Sequence, residues 1–192
     1  APDAVSELIR SRRVTTSFID RLPAARRRYR SYLPLMPMAL EQLDLRGYDL
    51  ILSSESGPAK GVIPPPESAH LCYCHSPMRY LWNMFHDYRE RAGPLTRLMM
   101  PPLAHYLRNW DAVSAQRVDR FAANSHTVAR RVRRYYGRDA DVVNPPVDVA
   151  DFGRASDLDD AWLMAGELIG YKRPDLAVEA FNRMGRRLVV IG

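Results

Sequence analysis

Short apolar runs alternate along this chain with longer segments of helical period. YDLILSS (48–54) follows Gly47 and ends in polar residues, and HLCYCH (70–75) follows the proline-rich loop GVIPPPESA. DRFAANS (119–125) and DVVNPPV (141–147) flank one helix candidate, and AWLMAGEL (161–168) and RLVVIG (187–192) flank another. Short apolar strands separated by helices predict βα repeats and a mainly parallel sheet.

Two helices are well marked. From about Ser125 to Tyr136, Val128, Val132 and Tyr135 or Tyr136 recur every three or four residues and form one buried stripe. Asn124 or Ser125 can cap the first turn, and Gly137 can take the left-handed stop. From about Pro174 to Met184, Leu176, Ala177, Ala180, Phe181 and Met184 share a side, with Gly185 after them. The strand, helix, glycine and strand of 161–192 form a βαβ unit. Such a unit cannot bury both faces of its sheet, so further strands or a partner are expected to cover it.

The stretch from His75 to Asp119 reads as helical, punctuated by Pro77, Gly93, Pro94, Pro101 and Pro102. Tyr80, Met84 and Tyr88 recur at intervals of four; Leu103, Leu107, Trp110 or Asp111, and Ser114 form a later stripe. Its Arg, His and Asp residues argue against a membrane hairpin.

The 192 residues are 46% hydrophobic and 26% charged, which suits a globular protein. The net charge of +6 brings anionic partners into consideration: nucleic acid, phospholipid or phosphorylated small molecules. Ala1 to Leu40 carries eight Arg against Asp3, Glu7 and Asp20. A second basic patch covers Arg117 to Arg138. The sign then reverses, with seven Asp against Arg154 between Asp139 and Asp160. This reversal and NPPVDVADFGRASDLDD mark a junction within Asn144 to Asp160. The expected division is a first domain over 1–147, a linker over 148–160 and the start of a second domain over 161–192. Cys72 and Cys74 are expected on opposite faces of a strand, unbridged and buried as small hydrophobes. With His75 they lack the ligand number and spacing of a zinc site.

Three segments carry candidate chemistry. SSESGPAKGV follows a strand, at the sheet edge where parallel α/β folds bind ligands, and includes Ser54. Its glycine spacing matches neither a dinucleotide nor a phosphate-loop fingerprint. In CYCHSPMRYLW, His75 ends an apolar strand, where it can hydrogen-bond a sugar hydroxyl or a developing charge. Arg79 can hold a phosphate or carboxylate through its forked donors, and Tyr80 adjoins it. A strand-capping histidine and a surface arginine are the plainer alternatives. In GELIGYKRPD, Lys172 and Arg173 precede a helix whose first turn presents free N–H groups, a geometry suited to a diphosphate.

HLCYCHSPMRYLW, FAANSHTVARRVRRYYG, VVNPPVD and AGELIGYKRPDLAVEAFNRMGRRLVVIG resemble, in that order, segments of the retaining glycosyltransferases of family four. The resemblance extends from about Tyr48 to Gly192, and less distinctly back to Phe18. It implies a GT-B fold, in which two Rossmann-like α/β domains face a cleft. Here that means an acceptor-side domain lacking its first strand, plus the first βαβ unit of a nucleotide-sugar-binding domain. The chain then reads as a piece of a longer protein, inactive by itself.

The resemblance gives His75 the role of positioning and polarising the donor sugar. It assigns Gly166, Lys172 and Arg173 to donor binding, and Lys172 to the diphosphate. Ser54, Arg79 and Tyr80 fall on the acceptor side. Many relatives have Gly-Arg where this chain has Gly166-Glu167. A carboxylate there repels a diphosphate unless Arg173 compensates or Glu167 turns away. A glutamate pair used by the family falls beyond Gly192. No metal or other cofactor is implied.

The look is closest to bacterial mannosyltransferases of polysaccharide synthesis. That implies a nucleoside-diphosphate sugar donor such as GDP-mannose and a lipid-diphosphate-linked acceptor. The place implied is cytoplasmic, peripheral at the inner face of the cell membrane through Arg26–Arg30 and Arg130–Arg134. A folded but inactive interaction fragment, or another GT-B enzyme, is the alternative. Nucleic-acid binding is disfavoured by the acidic stretch and the lack of a basic–aromatic β platform.

Overall fold

The computed structural model describes Glu7, residues 11–151 and residues 160–192. The chain divides into one unit ending at Pro145 and another beginning at Pro146. Residues 152–159, most of the expected linker, lie outside the described residues, as does Asp3.

The first unit is built on four parallel strands: β1 (Leu50–Glu55), β2 (Ala69–Cys74), β3 (Arg120–Ala123) and β4 (Ala140–Val142). Their spatial order follows the chain, β1-β2-β3-β4. When each right-handed crossover steps in the same direction, the connections gather on one face of the sheet. Burial agrees with this. Ile51, Ser53 and Glu55 of β1 and His70, Cys72 and Cys74 of β2 are buried, while Leu50, Leu52 and Leu71 between them are exposed.

The helices are α1 (Ala25–Arg28), α2 (Met36–Glu41), α3 (Phe85–Glu90), α4 (Pro94–Ser114) and α5 (His126–Tyr136). Helix α5 follows its sequence signals. Ser125 Oγ accepts from Val128 N, Val128, Val132 and Tyr136 are buried, and Gly137 stops it at φ +67°. With Cys72, Cys74, Val118, Phe121 and Ala123 these side chains form the main apolar core.

Two expectations are corrected. Cys72 and Cys74 do not face opposite ways: residues two apart share a face, and both thiols point into the covered core, free and fully buried. Nor do Pro101 and Pro102 break the helical stretch; both lie inside the 21-residue α4. Proline at 101 leaves the Arg97 carbonyl without its helical donor. The Nε–H of Arg89 fills that vacancy at 3.3 Å. Proline at 102 frees the carbonyl of Leu98, a residue open to solvent. The preceding stretch is less helical than its spacing implies: α3 begins only at Phe85, after turns through residues 79–84.

Beneath β1, polar side chains replace apolar ones. Lys60, in the loop after β1, is fully buried, and its ammonium pairs with Asp111 of α4 and lies 3.7 Å from Glu55 Oε1. Asp111 Oδ2 also accepts from Trp82 Nε1 at 2.7 Å and from the Tyr136 hydroxyl at 3.0 Å. The ammonium sits 4.7 Å from the centre of the Tyr136 ring. This cluster joins the β1 loop, the turn before α3, α4 and α5. Close by, Glu41 Oε1 accepts from Trp110 Nε1 and Arg117 Nη2, fastening α2 to the same assembly.

The second unit contains β5 (Trp162–Ala165), α6 (Pro174–Met184) and β6 (Leu188–Ile191). The strands pair in parallel, Trp162 to Leu188 through Ala165 to Ile191. This is the βαβ unit read from sequence. Leu163, Val190 and Ile191 remain exposed on it.

Breaking a buried ion pair from one side strands the other charge, typically at a cost of about 3–5 kcal/mol. Lys60→Met leaves Asp111 and Glu55 without their cation. Urea unfolding followed by tryptophan fluorescence is expected to show that loss, since Trp82 and Trp110 both border the cluster.

Candidate active site

The chemistry-bearing residues of the first unit gather at the carboxyl end of β1 and β2. The register pairs Ser54 with Tyr73 and Glu55 with Cys74, and His75 follows directly. The amide of His75 donates to the Glu55 carbonyl at 2.7 Å. Its Nε2 lies 2.9 Å from Ser54 Oγ, and the Tyr73 ring meets the imidazole edge-on at 5.1 Å. Backbone, hydroxyl and aromatic ring thus fix an exposed imidazole at the sheet edge. His70, the histidine within β2, is buried, bonded through Nε2 to Ser53 Oγ, and burial lowers its pKa. It is a neutral core group.

A cavity of about 780 Å³ opens beside Ser54. Ser54, Glu55, Ser56, Gly57 and Pro58 border it from the strand end, and Leu33 and Met36 from the N-terminal segment. Tyr80, Phe85 and Tyr88 come from the turn and α3, and Met100, Leu103 and Leu107 from α4. The lining is mainly apolar. Arg30 and Tyr80 also border it. The Tyr80 hydroxyl donates to Met78 Sδ at 3.1 Å, and burial raises its pKa, so it stays a neutral phenol.

Ser54 hydrogen-bonds His75 and borders the cavity together with Tyr80, while His75 and Arg79 are not among its lining residues. The Nη2 of Arg79 contacts Met84 Sδ at 2.8 Å. Covalent chemistry by the cysteines is excluded by their environment. Burial pushes the Cys72 thiol up to about 12 and the Cys74 thiol higher still.

Glu55 borders this cavity and belongs to the buried ion cluster. Burial, opposed by Lys60, pushes its carboxyl from the ordinary 4.5 up to about 7. The sequence hid this residue because it follows two serines at a strand end and reads as the beginning of a solvated loop. Asp111 was visible only as a polar residue on an apolar stripe.

In the second unit, Gly166 follows β5 with φ +144°, a conformation that favours glycine. Its amide donates to the Ile191 carbonyl at 2.8 Å. A Cβ built on Gly166 lies 3.7 Å from Lys172 Nζ, so two of the residues assigned to donor binding are neighbours. Arg173 is left-handed at φ 52°, an uncommon conformation for a side-chain-bearing residue, and caps α6. Its guanidinium binds Asp175, with Nε 3.0 and 3.1 Å from the two carboxylate oxygens. A diphosphate would have to compete with that carboxylate. Glu167 is exposed at the turn. Among the described residues, no group of three or more His, Cys, Asp or Glu is placed to hold a metal ion.

A family model described as Glycosyltransferase Family 4 matches residues 2–151. No curated protein and no solved structure gives a match.

A raised carboxyl pKa means that the folded chain holds the Glu55 proton more tightly than the unfolded chain. Stability from this group is therefore greatest below pH 4.5 and falls as pH rises towards 7. Glu55→Gln removes the titration. Its stability relative to the unsubstituted chain is expected to improve by about 2–3 kcal/mol over that interval, read from unfolding curves at several pH values.

Proposed function

The chain belongs to glycosyltransferase family 4, and we propose that it serves transfer of a sugar, mannose in the favoured reading, from a nucleoside-diphosphate sugar to a lipid-linked acceptor with retention of configuration. The observation that carries the acceptor reading is the apolar cavity opening beside the Ser54–His75 pair. A purely saccharide acceptor calls for polar partners along its whole surface. This cavity instead offers Leu33, Phe85, Met100 and Leu103, with Arg30 and Ser54 as polar points. That division suits a molecule with an apolar tail and an anionic, hydroxylated head.

Residue roles follow. The apolar wall takes the tail of the acceptor. Arg30 offers charge-assisted hydrogen bonds to its diphosphate, and Ser54 and Tyr80 orient the sugar end. His75 is held through Nε2, which suits a group that positions and polarises the donor sugar rather than attacking it. Lys172, beside Gly166, stabilises the charge on the departing nucleoside diphosphate, with the N-terminus of α6 adding its dipole. Arg173 is secondary because Asp175 engages it. The acceptor hydroxyl attacks from the face the leaving group departs. No residue here is assigned to hold a metal.

Among the described residues, no helix is long and apolar enough to cross a membrane. Access to a lipid-linked acceptor then fits peripheral association with the inner face of the cell membrane, assisted by the basic character of the chain.

Soluble analogues carrying a sugar diphosphate on alkyl chains of increasing length test this reading. Affinity measured by calorimetry is expected to rise with each methylene, by up to about 0.8 kcal/mol, until the cavity is full. Gly57 borders the cavity and a Cβ there meets no atom within 4 Å. Gly57→Trp is expected to abolish the chain-length dependence. Lys172→Ala is expected to leave it intact while weakening GDP binding. Affinity independent of chain length would reject the lipid-acceptor reading.

A further inference from the structure

Helix α4 carries two apolar stripes. One is packed: Leu103, Ala104 and Leu107 lie against Met78, Leu81 and Phe85, and Asp111 and Ser114 continue it. The other faces outward. Leu95, Leu98, Met99, Tyr106 and Val113 return at helical spacing along the opposite side, with Pro102 between them. Leu95 is 74% exposed, Leu98 72% and Met99 56%, so large apolar side chains stand together in solvent on one helix face. The stripe spans about 27 Å at 1.5 Å per residue.

Two observations limit what can cover it. The first is charge. Arg91 and Arg97 are exposed beside the start of the stripe and Arg89 lies half-buried next to them; Asp87 and Glu90 are exposed in the same segment and leave it one positive charge in excess. Across the cavity, residues 21–40 carry five Arg and no acidic residue, and expose Tyr29 and Met38. The second is continuity. Ala92, Thr96 and Met100, from the same turns as Leu95, Leu98 and Met99, border the acceptor cavity, as do Tyr29 and Arg30 of the basic segment. Exposed aliphatic side chains flanked by arginines, around an apolar opening, match the interfacial region of an anionic bilayer. The freed carbonyl of Leu98 suits the hydrated headgroup level rather than the hydrocarbon.

We propose that the outward stripe of α4, led by Leu95, Leu98 and Met99, docks on an anionic membrane surface, so that the acceptor's tail enters the cavity directly from the lipid. The docking rests on the lipid-acceptor reading for its purpose, though not for its chemistry. The basic helix α5 is a weaker contact, because Arg130, Arg131 and Arg133 bond Thr127, Ser76 and Asp139.

The test is co-sedimentation of the full chain with vesicles of phosphatidylcholine, with and without about one-third phosphatidylglycerol, in the absence of any acceptor. Binding to the anionic vesicles is expected, with a loss of about tenfold or more in L95S/L98S/M99S. L52S, on the exposed sheet face, is expected to bind like the unsubstituted chain. Because Cys72 and Cys74 are buried, Leu98→Cys can carry a single polarity-sensitive fluorophore, whose emission is expected to shift to the blue on the anionic vesicles. Circular dichroism of each variant controls for folding. Vesicle binding unaffected by the triple substitution, or no binding at all, overturns the proposal. So does a self-association that the triple substitution abolishes while leaving vesicle binding alone, since the stripe would then be a contact between copies. The soluble alkyl analogues bind without vesicles, so failure here and failure of the acceptor reading are separable.

Discussion

A lysine without access to water organises the first unit. Lys60 is held between Asp111 and Glu55, over the ring of Tyr136, with Trp82 sharing the Asp111 carboxylate. Each group alone would be costly to bury, and together they satisfy most of one another's demands. Two carboxylates face one ammonium, and the imbalance falls on Glu55, whose proton is retained to about pH 7. The cluster also fixes where the chemistry stands. The Glu55 carbonyl accepts from the His75 amide, and the neighbouring Ser54 hydroxyl pairs with its Nε2. The wall of the cavity is the α4 that Asp111 anchors.

The elements of this fold were legible where local signals and tertiary demands agree. The apolar runs YDLILSS and HLCYCH, the serine cap and glycine stop of α5, and the glycine after α6 each placed an element to within a few residues. The α4 prolines misled because the rule that proline ends a helix assumes that the freed carbonyl goes unpaired, and Arg89 pairs it. The cysteines were misjudged by a count of one along the strand. His75, Ser54, Tyr80, Gly166 and Lys172 were singled out through motif and position, and the fold brings Ser54 to His75 and Lys172 to Gly166. The cavity was not legible. Its walls come from segments as distant as Leu33 and Leu107, and nothing local marks a leucine as lining a hole rather than filling one. The buried ion cluster was hidden for the same reason: Glu55 and Lys60 read as loop residues, and Asp111 as a polar residue on an apolar stripe, until the fold joins them.

The two units share a logic. Each places its polar chemistry just past the carboxyl ends of parallel strands, His75 after β2 and Gly166 after β5. Strand ends there supply backbone geometry that a loop alone would not hold. In the first unit an apolar hollow adjoins that edge, and in the second a lysine and a helix start do. In the proposed reading, the first takes a tailed acceptor and the second a diphosphate.

The central claim is that the hollow beside Ser54, the hydrogen-bond partner of His75, receives the apolar part of the acceptor. The most direct measurement is photo-crosslinking with a sugar-diphosphate lipid analogue bearing a diazirine on its tail, followed by peptide mapping. The account predicts adducts on Leu33, Phe85, Met100 or Leu103, and their disappearance in the presence of an unlabelled analogue. Adducts confined to the exposed sheet face around Leu52 and Leu71, with the cavity residues untouched, would contradict it.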